Sequence, residues 1–333
     1  MAFVELVGTA FFNPGEEDGA EDDVVYVPYQ NTVYNFAIFT YAGNDWIDLR
    51  DANPNAVNTQ VYSGLGNDTV YGSATMDLVY DSKGRDRVYL GDSDDSLDAG
   101  FGNDFYDGGA GRDFISFYIL HDSDLPSGTN ITGVKFDLQI RTAQNLGPFG
   151  TDVIVGFEGA GGGNGHDTLS GTRGDNVLSG NEGNDFLVGR GGDDQLLAGA
   201  GRDTLIGGVG GDALSLTESI QSSDIVRFLS MGDSGVGMRN GVVDRIYGFA
   251  AGGTPLHDKI DLRALDAIAA TAKNDAFLFR DTGPFTSAKG EIRYEVSSAG
   301  NILVHVDTDG DAAAEMNFWV MGVTVLTSAD FML

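Results

Sequence analysis

Between residues 162 and 215 the strongly apolar positions fall singly and on a fixed beat, at Leu169, Leu178, Leu187, Leu196, Leu205 and Leu214. The stretch GNEGNDFLVGRGGDDQLL, residues 180–197, holds two such phrases. A nine-residue interval is neither the 3.6 of a helix nor the 2 of a strand, so each phrase is a structural unit. Two residues before each Leu stands a polar column, Asp167, Asn176, Asp185, Asp194, Asp203 and Asp212. Two residues earlier again comes Gly165, Gly174, Gly183, Gly192, Gly201 and Gly210. The same clock runs earlier through Asp68, Asp77, Asp86, Asp95, Asp104 and Asp113, with Val70, Val79, Val88, Leu97, Tyr106 and Ile115 two residues on. Here the Gly column is worn, reading Gly66, Thr75, Gly84, Ser93, Gly102 and Gly111.

Each phrase supplies a strand of about three residues whose middle side chain faces inward, and a turn of about six. Two phrases make an 18-residue coil, and stacked coils make two parallel sheets spaced about 4.8 Å per coil. Gly suits the turns because left-handed backbone angles are cheap without a Cβ. Outside the arrays the beat is lost, but strand-like runs continue at 134–140 and 151–157. At the front, 23–29 and 32–49 read as strands, with an isolated copy of the beat at Gly43-Asn44-Asp45. After residue 217 the runs DIVRF, VVDRIYGF, KIDL, EIRYEV, NILVHVD and FWVMGV predict strands, and RALDAIAATA (263–272) predicts one helix.

Charge changes this picture. The 333 residues carry 50 acids against 19 basic residues, a formal net charge of −31, which disfavours nucleic acid and anionic membrane as partners. Cysteine is absent, which excludes disulfides and thiolate chemistry. No apolar run reaches the ~20 residues of a membrane-spanning helix, so no membrane insertion is expected. The N-terminus lacks the basic segment of a secretory signal peptide. Stacking places Asp167, Asp185 and Asp203 on one edge of the coils and Asn176, Asp194 and Asp212 on the other. Like carboxylates one strand spacing apart repel, which calls for a bridging cation. Oxygen-only donors suit calcium before magnesium, and not zinc or copper.

The phrases GGNGHDTLS (162–170) and GGVGGDALS (207–215) resemble the GGxGxDxUx nonapeptide of the RTX (repeats-in-toxin), haemolysin-type calcium-binding proteins. The resemblance implies an all-β fold, a right-handed parallel β-roll with a β-rich C-terminal cap. It also implies ligands: the sixth-position carboxylate and turn carbonyls of one loop, with those of the loop 18 residues on. Carried over, the carboxylate pairs are Asp68 with Asp86, Asp86 with Asp104, Asp77 with Asp95, Asp95 with Asp113, Asp167 with Asp185, Asp185 with Asp203, Asn176 with Asp194, and Asp194 with Asp212. The turns around Gly64, Gly66, Gly84, Gly165, Gly174, Gly183 and Gly192 would add carbonyls, for eight Ca2+ sites in all. Thr75 and Ser93 depart from the motif and put the Asp77 and Asp95 sites in doubt, and uncharged Asn176 weakens its own.

Residues 230–262, 290–296, 305–315 and 326–333 are similar to the C-terminal domain of serralysin-type secreted proteases. That likeness implies a cap and an uncleaved type I secretion signal ending in Asp330-Phe331-Met332-Leu333, hence export from a Gram-negative bacterium by the type I machinery. The resulting layout is an N-terminal β segment (1–59), a first array (60–116), coils without calcium loops (117–161), a second array (162–217) and the cap (218–333).

Catalytic chemistry finds little support. His121, His166, His257 and His305 are scattered and never in HExxH, so the serralysin protease site is missing; His166 occupies a variable, solvent-facing repeat position. Gly232-Asp233-Ser234-Gly235 resembles the nucleophile segment of trypsin-like proteases without a matching His context. Asp307, Asp309 and Asp311 form half of an EF-hand-like loop, readable as an extra calcium site or as a polar turn. Tyr71 and Tyr89 should stack outward on one sheet with Tyr80 on the other, as a structural ladder or as a contact strip. The expectation is a secreted, non-enzymatic calcium-folded protein acting at a cell surface or in an extracellular matrix. The alternative is a polysaccharide-modifying or polysaccharide-binding protein, since RTX rolls also accompany alginate epimerases and lyases. A pore-forming toxin ranks third for want of apolar helices.

Overall fold

The computed structural model describes residues 3–5, 22–27, 36–53, 59–118, 133–234, 243–252, 256–267 and 275–333. They divide into two compact units, Met1–Asn164 and Gly165–Leu333.

In the first unit one sheet stacks Phe3–Glu5, Val24–Tyr26, Trp46–Asp48, Thr69–Tyr71, Arg87–Asp92, Phe105–Ala110 and Thr151–Val155 in parallel, with Gln144–Asn145 added antiparallel at the edge. The facing sheet stacks Phe36–Phe39, Thr59–Tyr62, Asp77–Tyr80, Ser96–Asp98, Phe114–Ser116 and Gly159–Gly161, again in parallel. Register follows the apolar beat. Val25, Ile47, Val70, Val88, Tyr106 and Ile154 pair in sequence across one sheet, and Ile38, Val61, Val79, Leu97, Ile115 and Ala160 across the other. All are at most 1% exposed, so the core is two columns facing each other.

The second unit repeats this design. Leu169, Leu187, Leu205, Val226, Ile260 and Phe331 form one register column, and Leu178, Leu196, Leu214, Ile246 and Val320 the other. The coils therefore run on past residue 217, with the strands Ile225–Arg227, Arg245–Tyr247 and Lys259–Asp261 taking the place of repeats. An antiparallel meander of Glu291–Val296, Ile302–Asp307 and Met316–Val320 completes the second sheet. Every C-terminal run read as a strand contains one. The architecture is a parallel β-roll with a β-rich C-terminal part, as the repeat demands.

The helix expected at 263–272 is a correction. Residues 263–267 form turns and bends, and the remainder lies outside the described residues. Buried Asp261 explains this end of the segment: its carboxylate accepts from the backbone N–H and the guanidinium of Arg263, drawing the chain into a local turn, while Leu265 is buried.

Glycine has a second reason at the turns. At Gly66 φ is +134°, the conformation anticipated from sequence. At Gly84 φ is ordinary, yet an added Cβ would lie 1.5 Å from the carbonyl oxygen of Gly66 in the preceding coil. Close approach of stacked turns, rather than backbone angle, excludes a side chain there.

Candidate metal centres

The acid column sits where each turn enters its strand. Every beat residue is buried, at most 3% exposed. The backbone N–H of one beat residue donates to the carboxylate of the beat residue one coil on. Asp68 donates to Asp86 at 2.6 Å, Asp86 to Asp104 at 2.8 Å, Asp77 to Asp95 at 2.8 Å and Asp95 to Asp113 at 2.9 Å. In the second unit Asp167 donates to Asp185 at 2.8 Å, Asp185 to Asp203 at 2.7 Å, Asn176 to Asp194 at 2.7 Å and Asp194 to Asp212 at 2.9 Å. Each pair carried over from the repeat is thus joined in space, and Asp185 and Asp194 stand in different ladders.

The ladders also extend beyond the beat. Asp23 donates to Asp45 and Asp45 to Asp68. Asp104 donates to Asp152 and Asp113 to Glu158, across 48 and 45 residues. Asp203 donates to Asp224, Asp224 to Asp258 and Asp212 to Asp244. Insertions break the nine-residue interval, so a search by interval misses these residues. The signal that finds them is an acid two residues before a core residue: Asp152 before Ile154, Asp224 before Val226, Asp244 before Ile246, Asp258 before Ile260.

One oxygen per carboxylate is spent on this ladder. The second, Oδ2, is buried without a hydrogen-bond partner at Asp45, Asp68, Asp86, Asp95, Asp113, Asp152, Asp185, Asp194, Asp203, Asp212, Asp224 and Asp244. An unsatisfied buried polar atom costs about 1–3 kcal/mol, and more when charged. Among the described residues the ion pairs go elsewhere, to Asp48, Asp261, Glu291 and Glu295. Burial pushes the ladder carboxyls up, Asp194 and Asp212 to about 7 and Asp95, Asp152 and Asp185 to about 8, with neighbouring carboxylates adding to the rise. The donor set is oxygen only, anionic and aimed between coils, which fits a hard divalent cation. Orphaned oxygens and donor chemistry together meet the requirement for calcium.

Two beat residues are capped from within their own turn. Asp77 Oδ2 accepts from the N–H of Ser73 at 2.6 Å and from its hydroxyl at 3.1 Å. Asn176 Oδ1 accepts from the N–H of Thr172 at 2.6 Å and from its hydroxyl at 3.1 Å. Ser73 and Thr172 stand at the second motif position, where Gly is expected, and fold each turn onto its own side chain. The Asp77 site is therefore altered through Ser73 more than through Thr75. Ser93 instead adopts the glycine-like φ of 99° and leaves Asp95 Oδ2 unpartnered.

A second, outer ladder runs through the fifth motif position. Arg85 N–H donates to Asn67 Oδ1, Arg112 N–H to Asp94, Asn184 N–H to His166 Nδ1 and Arg202 N–H to Asn184. His166 is exposed and holds register between coils.

Elsewhere, Asp307, Asp309, Asp311 and Glu315 bring carboxylate oxygens within 4.8 Å of one another in the loop joining two antiparallel strands. Glu315 escaped the sequence search. Their oxygens are engaged by the loop itself: Asp307 accepts from Gly310 and Ala312, and Glu315 from Thr308. Ser234 is buried, and its hydroxyl donates to the Asn317 carbonyl while accepting from the Asp244 N–H, a strut rather than a poised nucleophile. Gly235 and His121 lie outside the described residues. Tyr71 and Tyr89 stack at 5.0 Å on one sheet, and Tyr62 and Tyr80 at 4.4 Å on the other, with the Arg50 guanidinium 4.2 Å over Tyr71. These are cross-strand aromatic ladders.

Residues 58–79, 80–115, 161–196 and 179–214 match the RTX calcium-binding nonapeptide repeat, in four copies. The chain thus carries calcium-binding RTX repeats, in the two stretches whose acids form the nine-residue beat. No curated protein matches it. Among solved structures it is similar to the AlgE6R3 subunit of the Azotobacter vinelandii mannuronan C5-epimerase, at 23% identity and a TM-score of 0.22, over 50% of this chain and 77% of that one.

Proposed function

We propose that this is a secreted calcium-folded RTX protein without catalytic activity of its own, in which calcium is the last structural component of the roll. The observation that carries the reading is the set of buried carboxylate oxygens left without partners along both edges. Asp68, Asp86 and Asp104, Asp95 and Asp113, Asp167, Asp185 and Asp203, and Asp194 and Asp212 would hold the ions, with carbonyls of the adjoining turns. Calcium supplies positive charge between stacked carboxylates, while the chain supplies register through the ladder hydrogen bonds. At the low calcium of a cell interior the net charge of −31 stays uncompensated and the ladders repel. Outside, calcium at about 10⁻⁴ to 10⁻³ M, the range of extracellular modules, fills the sites and couples binding to folding. That coupling suits export of an unfolded chain by a type I machinery. The 307–315 loop closes on itself through its own hydrogen bonds.

Far-UV circular dichroism in EDTA and in millimolar calcium, with bound calcium counted after dialysis, tests the reading. A calcium-induced gain of β signal with several ions bound supports it; identical spectra overturn it. A glycan array and a cell-binding assay, each with and without calcium, test the surface role, and hydrolysis or epimerisation of a polysaccharide would replace the non-enzymatic reading.

A further inference from the structure

One turn of the first array departs from all the others. At the first motif position an added Cβ points straight at the carboxylate of its own turn: 2.3 Å from Asp185 Oδ2 at Gly180, and 2.2 Å from Asp194 Oδ2 at Gly189. A side chain at this position therefore enters the space that the orphaned oxygen faces. Asp81 occupies that position ahead of Asp86. Its carboxylate is directed inward, and oxygens of Asp81, Asp86 and Asp104 all lie within 4.8 Å of one another. Asp86 is 1% exposed, and its Oδ2 has no hydrogen-bond partner.

The core column is altered at the matching point. Tyr106 stands where Val70 and Val88 stand in the preceding coils, fully buried, and its hydroxyl donates to Asp81 Oδ2 at 2.5 Å and to Asp104 Oδ2 at 3.2 Å. The Ser63 hydroxyl and the Ser82 N–H hold the other Asp81 oxygen, at 2.9 and 3.0 Å. Asp81 is thus fixed in place by three donors, all neutral. A third negative charge has been brought beside two others without a compensating cationic side chain among those contacts, an arrangement that burial makes costly unless a cation joins it.

We propose that Asp81, Asp86 and Asp104 form a three-carboxylate cation site, roofed on its core side by the Tyr106 phenol, that binds a hard cation more tightly than any two-carboxylate step of either ladder. This rests on the calcium reading above and deepens it: calcium affinity in oxygen sites rises with the number of charged ligands. Three carboxylates also match the charge of a trivalent lanthanide, and the tyrosine is placed to sensitise terbium emission.

The test uses the full chain, calcium and terbium. Asp81→Gly restores the residue that Gly72, Gly108, Gly180 and Gly189 provide in other turns, so the roll should still fold in calcium by circular dichroism. Its tightest site should weaken by about tenfold or more, with the remaining sites unchanged. Asp81→Asn keeps an acceptor for Tyr106 and removes only the charge, and the same loss is expected. Tyr106→Phe should retain the ion count while losing the tyrosine-excited terbium emission of the first equivalent. Parent-like affinities in both Asp81 variants, or first-equivalent emission that survives in Tyr106→Phe, overturn the three-carboxylate site while leaving the ladders standing. A parent chain that binds no calcium overturns the broader reading as well.

Discussion

The two arrays share a clock and a core but close their turns differently. In the second, Gly180, Gly189 and Gly207 leave the turn interior bare, and the Oδ2 atoms of Asp185, Asp194 and Asp212 face it unpartnered. In the first, side chains fill the equivalent space: Ser73 caps Asp77, Asp81 enters beside Asp86, and Tyr106 reaches Asp104. A turn of this roll can be satisfied by a hydroxyl of its own or left to a cation, and the residues at the first two motif positions decide which. The looser Gly column of the first array is therefore a change of chemistry as well as wear.

Removing calcium should separate the arrays most. In EDTA the 165–215 region, whose closed turn is that of Thr172, should lose amide-exchange protection before 59–118, where Ser73, Ser63 and Tyr106 bridge turns without an ion. The opening free energies should differ by about 2 kcal/mol or more, the summed value of two or three such hydrogen bonds. Equal protection in the two regions would sink the comparison.

A charge-only substitution tests the same point at one residue. Asp185→Asn retains an acceptor for the Asp167 N–H and removes a buried charge between Asp167 and Asp203. In EDTA above pH 8, where the raised Asp185 carboxyl is ionised, the variant should be more stable than the parent by roughly 1–3 kcal/mol, the cost of the unsatisfied carboxylate. In calcium the order should invert, because two adjoining ion sites lose a charged ligand. Thermal melts under both conditions read this directly, and a variant destabilised in EDTA counts against repulsion as the source of calcium dependence.

Acid should imitate the ion in part. The ladder carboxyls are raised in the folded state, to about 6 at Asp113, about 7 at Asp194 and about 8 at Asp185, against an ordinary value near 3.8. Raised carboxyls mean that the folded, calcium-free chain binds more protons than the unfolded one. Its stability is therefore greatest below the unfolded value and is lost as pH climbs through about 6 to 8. Melting temperature in EDTA should fall from pH 5 to pH 8, whereas calcium affinity should rise over the same interval as protons leave the ligands. A calcium-free melt that is flat with pH would show that the ladders are already satisfied.

Much of this was legible in the sequence because the repeat writes one residue per physical task. The Leu or Val column foretold both core registers, and the Asp column foretold which residues meet across coils. What escaped had lost its interval without losing its role. Asp152, Asp224, Asp244 and Asp258 continue the ladders across insertions of irregular length, keeping their place two residues before a core residue whatever the length of the loop between. Hydroxyl capping by Ser73 and Thr172 was missed because it depends on a turn closing within four residues, which spacing between coils does not reveal. The helix read at 263–272 fails at its start, where residues 263–267 turn through hydrogen bonds to Asp261.

The smallest effect is the most specific. Asn176 carries no charge, and Thr172 occupies its side-chain oxygen through both N–H and hydroxyl. If position two selects between hydroxyl and ion, Thr172→Gly alone should only loosen the turn, costing about 1 kcal/mol through one lost hydrogen bond and a more flexible unfolded chain. Thr172→Gly combined with Asn176→Asp restores the motif across 171–176 and places a carboxylate without its hydroxyl cap beside Asp194, whose Oδ2 is already unpartnered. The double variant should bind one more calcium than the parent, gain stability in calcium and lose it in EDTA. An unchanged ion count in a folded double variant would mean that carboxylate stacking alone does not create a site, and that the turn carbonyls, rather than the ladder, set where calcium binds.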